Sequence, residues 1–241
     1  PLPILPVVGY PKSGTTWFCH MLAASTGLPF AQFPHLPVAM PSVVHGHWKP
    51  HPRLRNATLV VRDGRDAMVS FYFFCLLCAR EGMRMRGFRA LFAPGDDPED
   101  VVRHLPAFIE FIFKHPIGSH RTWPEYNAMW LDKPGVATVR YEDLHRDAGA
   151  ELARVTAELG RPAPAWRIER AVEDCSMQRA TGRRPGEEDR ASATRKGVVG
   201  DWESAFSAEA RELFADLAGD ALVALGYERA RDWRTWGRAQ E

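Results

Sequence analysis

Three short apolar runs, Ile4–Gly9, Ala57–Val61 and Val136–Tyr141, each end against turn or charged residues. Their hydrophobicity is continuous rather than alternating, the pattern of strands buried on both faces. Apolar positions at helical spacing fill the chain between and after them. Trp17, Phe18, Met21 and Leu22 predict a helix over about 14–25, closed by Gly27-Leu28-Pro29. A second is predicted over 67–80, after the turn Asp63-Gly64-Arg65-Asp66. Val101, Leu105, Phe108, Ile109 and Ile112 predict a third behind the start signal Pro98-Glu99-Asp100. Further helices are expected at about 119–132, 147–159, 165–174 and 207–225. Alternation of this kind predicts an α/β fold: a single three-layer domain over 1–241, with a central parallel sheet and helices on both faces. Three stretches break the pattern. Residues 29–56 read as a long irregular segment of the kind that carries function, 81–97 as mobile, and 179–195 as a flexible lid.

Composition narrows this picture. Hydrophobic residues are 45% and charged residues 25%, so there is enough apolar surface for a core. A net charge of +1 gives no excess for a nucleic-acid backbone, and no apolar run reaches the ~18 residues of a membrane span. Only five of the 31 basic residues are lysine, so each lysine draws attention. Cys75 and Cys78 form a C-x-x-C pair inside an apolar helical run. No second pair stands at zinc spacing, so they read as buried helix residues. Four cysteines without a disulfide framework, and no recognisable leader, give a cytoplasmic expectation.

The strongest local signal is Gly9-Tyr10-Pro11-Lys12-Ser13-Gly14-Thr15-Thr16-Trp17, entered from a strand and left by a helix. Backbone N–H groups and the helix dipole make an anion site there, Gly14 permits close approach, and Thr15 and Thr16 add hydroxyls. The nucleotide-hydrolase pattern G-x-x-x-x-G-K-[ST] is met at Gly9, Gly14 and Thr16. Its lysine position holds Thr15, however, and the lysine has moved into the loop as Lys12. A P-loop kinase or nucleotide hydrolase, which would need Mg²⁺ and ATP, is therefore the alternative rather than the first reading. A module that binds nucleotide without turnover is a second rival.

The octapeptide from Tyr10 to Trp17 resembles the 5′-phosphosulfate loop of the cytosolic-type sulfotransferases, which use 3′-phosphoadenosine-5′-phosphosulfate (PAPS) as donor and release 3′-phosphoadenosine-5′-phosphate (PAP). Two more motifs follow in the family's order. Arg62-Asp63-Gly64-Arg65-Asp66-Ala67-Met68-Val69-Ser70 is similar to its 3′-phosphate motif, which implies that Arg62 and Ser70 hold that phosphate. Arg195-Lys196-Gly197-Val198-Val199-Gly200-Asp201-Trp202 is similar to its R-K-G-x-x-G-D-W signature, which implies the same for Arg195, Lys196 and Gly197. Tyr141 opens a segment like one whose tyrosine lies near the adenine. Cys175-Ser176-Met177 is similar to an adenine-contacting segment, with Met177 where an aromatic is usual and Ser176 beside it. The resemblance implies no metal, and places the four cations Lys12, Arg62, Arg195 and Lys196 in one cleft with the offsetting acids elsewhere.

Sulfuryl transfer to a hydroxyl needs a base, and histidine suits neutral pH. His45, His47 and His51 cluster in 44–52, and His20 and His35 are further candidates. The family's K-T-H motif falls in this interval. His45-Gly46-His47 matches it best, with His47 on the catalytic position and His45 in place of the lysine; His45 stays open as the base. The implied reaction is direct in-line transfer to an acceptor that is a hydroxylated small molecule. Phe30, Phe33, Trp48, Phe74, Met83 and Met85 are candidate pocket residues, each equally readable as core. Glu188–Thr194 does not resemble the family's dimerisation segment.

Overall fold

A computed structural model describes residues 4–32, 40–52, 54, 56–83, 85, 87–230 and 233. The chain divides into two compact units, one of residues up to Arg62 with Tyr126–Glu187, the other of Asp63–Glu125 with the residues from Glu188.

The first unit is built on a five-stranded sheet: β1 (Ile4–Gly9), β2 (Phe30–Gln32), β3 (Ser42–His45), β4 (Thr58–Val61) and β5 (Ala137–Arg140). Every pairing is parallel, in the order β2-β3-β1-β4-β5. The α/β expectation with a parallel sheet is met, and all three predicted strands are present. β2 and β3 are additional, inside the segment read as irregular. β3 offers only two apolar residues between Ser42 and His45, too short a run for periodicity to register.

Strand order diverges on either side of β1, which pairs with β3 and β4. The carboxyl end of such a central strand is where open α/β sheets take ligands. Helices α1 (Thr15–Thr26), α5 (Tyr141–Glu158) and α6 (Ala165–Asp174) belong to this unit. Phe18, Met21 and Leu22 of α1 pack with Leu5 and Val7 of β1, Val43, Val60, Val139, and Leu152 and Val155 of α5 in one core. α5 starts earlier than expected, but Asp147 is non-helical and its carboxylate accepts the Ala150 N–H at 2.9 Å. The predicted start at 147 is thus a real cap inside a kinked helix. Helix α7 (Met177–Thr181) follows α6.

The second unit holds α2 (Gly64–Arg80), α3 (Val101–Lys114), α8 (Trp202–Ala205) and α9 (Ala208–Ala224). α4 (Trp123–Trp130) begins in this unit and contributes Tyr126–Trp130 to the first. The Asp63 carboxylate accepts the Arg65 N–H and starts α2; Asp100 does the same for α3 through Arg103. Edge-to-face rings of Phe71, Tyr72, Phe88 and Phe108 fill the space between α2, α3 and the 3₁₀ turn Phe88–Leu91. That turn lies in 81–97, which the sequence reads as mobile; Phe88 is fully buried. Cys75 and Cys78 are buried thiols of α2, as expected. Among the described residues no helix is long and apolar enough to cross a membrane.

Candidate active site

The first unit carries the loop and the histidines. β1 ends at Gly9, and α1 starts at Thr15 after Gly14 turns the chain with φ 83°. A side chain at residue 14 would drive its Cβ to 2.4 Å from the Tyr141 ring, so only glycine lets the loop lie against that ring. Lys12 is also left-handed, at φ 69°, a conformation that non-glycine residues rarely adopt and that concentrates at functional sites. Ser13 is buried, and its hydroxyl has no hydrogen-bond partner among the described residues. An orphaned hydroxyl in a loop that opens a helix fits an oxyanion ligand, and this observation makes the loop suited to a phosphosulfate.

Arg62 follows β4 and is buried. One guanidinium N–H donates to the Lys12 carbonyl at 3.1 Å, and its plane lies 4.2 Å from the Tyr141 ring centroid. Trp17 packs edge-on to Tyr141, and its indole N–H donates to the Cys175 carbonyl at 2.8 Å. This bond ties α1 to the segment bearing Ser176 and Met177, both half-buried. The Ser176 hydroxyl is committed to capping α7 at Arg179 N–H.

His47 is the better placed histidine for a base. Its Nδ1 lies 2.8 Å from the Gly9 carbonyl. A carbonyl only accepts, so Nδ1 carries the proton and the lone pair falls on Nε2. Burial pushes its pKa below the ordinary histidine value, which keeps the ring neutral at pH 7. His45 ends β3, is nearly inaccessible and bonds the Val7 carbonyl at 3.2 Å. Burial, then the neighbouring His47, push its pKa down to about 4. The rings stand perpendicular, 5.1 Å apart. The residue after His47 is fixed too: the Trp48 carbonyl accepts from Tyr126 Oη at 3.2 Å and from Trp130 Nε1 at 2.9 Å.

The second unit carries Ser70 and the 195–202 loop. Asp66, Ser70 and Phe73 lie at i, i+4 and i+7 on α2 and share a face. The Asp66 carboxylate accepts from the Gly200 and Trp202 N–H groups, and the Arg195 guanidinium lies 4.4 Å from the Phe73 ring. Ser70, between them, is therefore on the side of α2 that meets the loop of Arg195 and Lys196. One expectation is corrected here: the offsetting acids are not elsewhere. Asp201 pairs with Lys196 at 2.6 Å and with Arg195, and Glu188 pairs with Arg195 too. Hydrogen bonds from Lys196 and Arg195 outweigh the burial that would raise the Asp201 pKa and hold it below the usual carboxylate range.

The sequence model of the sulfotransferase domain matches residues 21–226. The chain belongs to the sulfotransferase family. Sulfotransferase 1E1 from Cavia porcellus is 23% identical, covering 87% of this chain and 80% of its own length. The human enzyme of that name is 24% identical over the same shares. Among solved structures, mouse sulfotransferase SULT7A1 complexed with PAP aligns with a TM-score of 0.66 at 18% identity, covering 91% of this chain and 84% of that one. Retinol dehydratase in complex with androsterone and inactive cofactor PAP aligns at 0.63 and 15%, covering 92% and 82%. The expectation of a PAPS-dependent sulfotransferase is met, and the kinase or hydrolase alternative is not favoured.

In this sulfotransferase the first unit carries Lys12, Ser13, Gly14, Thr15, Thr16 and Trp17 between the end of β1 and the start of α1, His47 after β3, Arg62 after β4, Tyr141 after β5, and Ser176 and Met177 at the start of α7. The second gathers Ser70, Arg195, Lys196 and Gly197. Of the acceptor candidates, Phe30, Trp48, Phe74 and Met85 are half-buried and Met83 is exposed, so none is a sealed core residue; Phe33 and His35 lie outside the described residues. In the 179–195 stretch the Arg184 N–H bonds the Glu187 carboxylate at 2.9 Å, and Arg190 pairs with Glu188 nearby and with the distant Glu99. Sequence reasoning missed His145, whose ring lies 4.6 Å from Tyr141 and 5.2 Å from Trp17. Burial, then the Arg62 charge, lowers its pKa. Only the four-residue spacing from Tyr141 could have signalled it.

Proposed function

We propose that this enzyme moves the sulfuryl group of PAPS to a hydroxyl of a small-molecule acceptor by direct in-line transfer, with His47 as base and Lys12 as the principal cation. One observation carries the reading: the His47 Nδ1–H is bonded to Gly9, the residue from which the Lys12 loop departs. Base and loop thus share one anchor at the carboxyl end of β1.

The donor supplies an activated sulfuryl group and a phosphate that can leave. Lys12, the Thr15 and Thr16 hydroxyls, Ser13 Oγ and the N–H groups at the start of α1 neutralise charge as it builds on the departing oxygens. His47 Nε2 takes the acceptor's proton. The work is positional and electrostatic, as in phosphoryl transfer, with no covalent role for the protein. Trp17, Tyr141, Ser176 and Met177 form the adenine side, where a thioether can pack on a ring. Arg62 in the first unit, and Ser70, Arg195, Lys196 and Gly197 in the second, keep the 3′-phosphate roles that the motif resemblance gives them. A cytoplasmic setting is consistent with four cysteines held as thiols.

Thermal unfolding tests the nucleotide assignment. PAP at a hundredfold excess over its Kd should raise the Tm by roughly 5–10 °C, whereas Mg-ATP should leave it unchanged. Stabilisation by Mg-ATP alone would return the kinase reading.

A further inference from the structure

We infer that Asp66 is a positioning residue for the nucleotide's 3′-phosphate: its carboxylate sets the 195–202 loop before any ligand arrives. The inference rests on the reading that Arg195, Lys196 and Gly197 hold that phosphate.

Asp66 stands in the first turn of α2, where a carboxylate favours the helix dipole. That alone would explain an acid at this position, but both oxygens are otherwise engaged. Oδ2 accepts the Gly200 N–H at 2.8 Å and Oδ1 the Trp202 N–H at 3.0 Å, while the residue is 1% exposed. A buried carboxylate with both oxygens matched to consecutive-but-one amides is a clamp on the peptide between them. The clamped residue is Asp201. Its own carboxylate reaches back to Lys196 and Arg195. A chain of charge-assisted bonds therefore runs from α2 through the backbone of 200–202 to the two cations.

Two further contacts hold the same loop on the same helix. Arg195 lies over Phe73, seven residues after Asp66, and Trp202 covers the Arg65 guanidinium at 3.8 Å. Gly200 takes φ 82°, which lets the chain turn so that its own amide and that of Trp202 face one carboxylate. The loop carries little apolar burial of its own: Val199 is exposed and Val198 half-buried. Beside these ring contacts, Asp66 supplies two hydrogen bonds that anchor the loop to the helix carrying Ser70. A loop ordered beforehand spares the nucleotide the entropy of arranging it, and the benefit falls only on a ligand that has the phosphate the loop contacts.

The experiment compares the affinity of the protein for PAP and for AMP, which lacks the 3′-phosphate, by calorimetric titration. Wild-type protein should prefer PAP strongly. Asp66→Asn replaces one acceptor oxygen by a donor facing an N–H, so it should weaken PAP roughly 10–100-fold and AMP less than about twofold, shrinking the preference. Asp66→Glu, which restores the charge, should recover part of it. A folded Asp66→Asn protein with the wild-type preference would overturn the inference. A wild-type protein with no preference would instead overturn the 3′-phosphate reading beneath it. Should the asparagine variant not fold, amide exchange on wild-type protein decides. Gly200 and Trp202 should be protected before PAP is added; free exchange at both would refute a loop set in advance.

Discussion

His47→Ala should lower kcat by roughly 10²–10⁴-fold, with PAP affinity nearly unchanged. The imidazole acts on the acceptor's proton and the donor is held by other groups, so chemistry and nucleotide binding separate. The tautomer sharpens the expectation. The Gly9 carbonyl fixes the proton on Nδ1 and leaves Nε2 as the base, so His47→Gln, which cannot take a proton, should be as slow as alanine. The pH profile carries the sign. Burial disfavours the imidazolium and holds the His47 pKa below 6.5, so the base form predominates at neutral pH. kcat/KM should rise with pH through a midpoint below 6.5 and stay flat above it, and this acid limb should vanish in His47→Ala. Near-normal turnover in the alanine variant, or an unaltered limb, would remove His47 from the mechanism. In that case His45 is the next base to test, although its depth and its pKa of about 4 make it a poor one.

Lys12→Ala should cost roughly 10²–10³-fold in kcat, because it removes a charge that matters most as the bond to the leaving oxygen breaks. Alanine keeps a Cβ in the left-handed conformation that Lys12 already adopts, so the backbone carries the same strain in both proteins. The Arg62 bond to the residue 12 carbonyl is a backbone contact and survives the change. Lys12→Arg restores charge but as a broad planar fork, and should recover donor affinity more than turnover. If the alanine variant kept its kcat at saturating donor and lost only donor affinity, Lys12 would be a binding group only.

Much of this was legible in the residues. The strands that lead into the phosphate loop and into Arg62 are continuous apolar runs, and their burial on both faces forces that composition. The loop itself is readable because its glycine, its lone lysine and its three hydroxyls are adjacent in sequence. What was not legible depends on distant pairing. β2 and β3 owe their place to neighbouring strands rather than to their own two or three apolar residues. Asp66 reads as an ordinary acid at a helix start; its two amide partners lie more than 130 residues away. The composition sum hid the acids as well, since Asp201 and Glu188 sit directly on the cations that a net count had left exposed. The motif match already set His47 ahead of His45; both rings bond a carbonyl through Nδ1, and what the sequence could not show is that His45 is buried at a strand end while His47 is only half-buried.

Sulfuryl transfer itself is the most direct test of the central claim. The protein is incubated with radiolabelled PAPS, excess EDTA and a panel of hydroxylated small molecules. Label should appear on at least one acceptor, with one PAP formed for each label moved and transfer lost in His47→Ala. Label that moves only when Mg²⁺ is restored, or ATP consumed while PAPS stays intact, would contradict it.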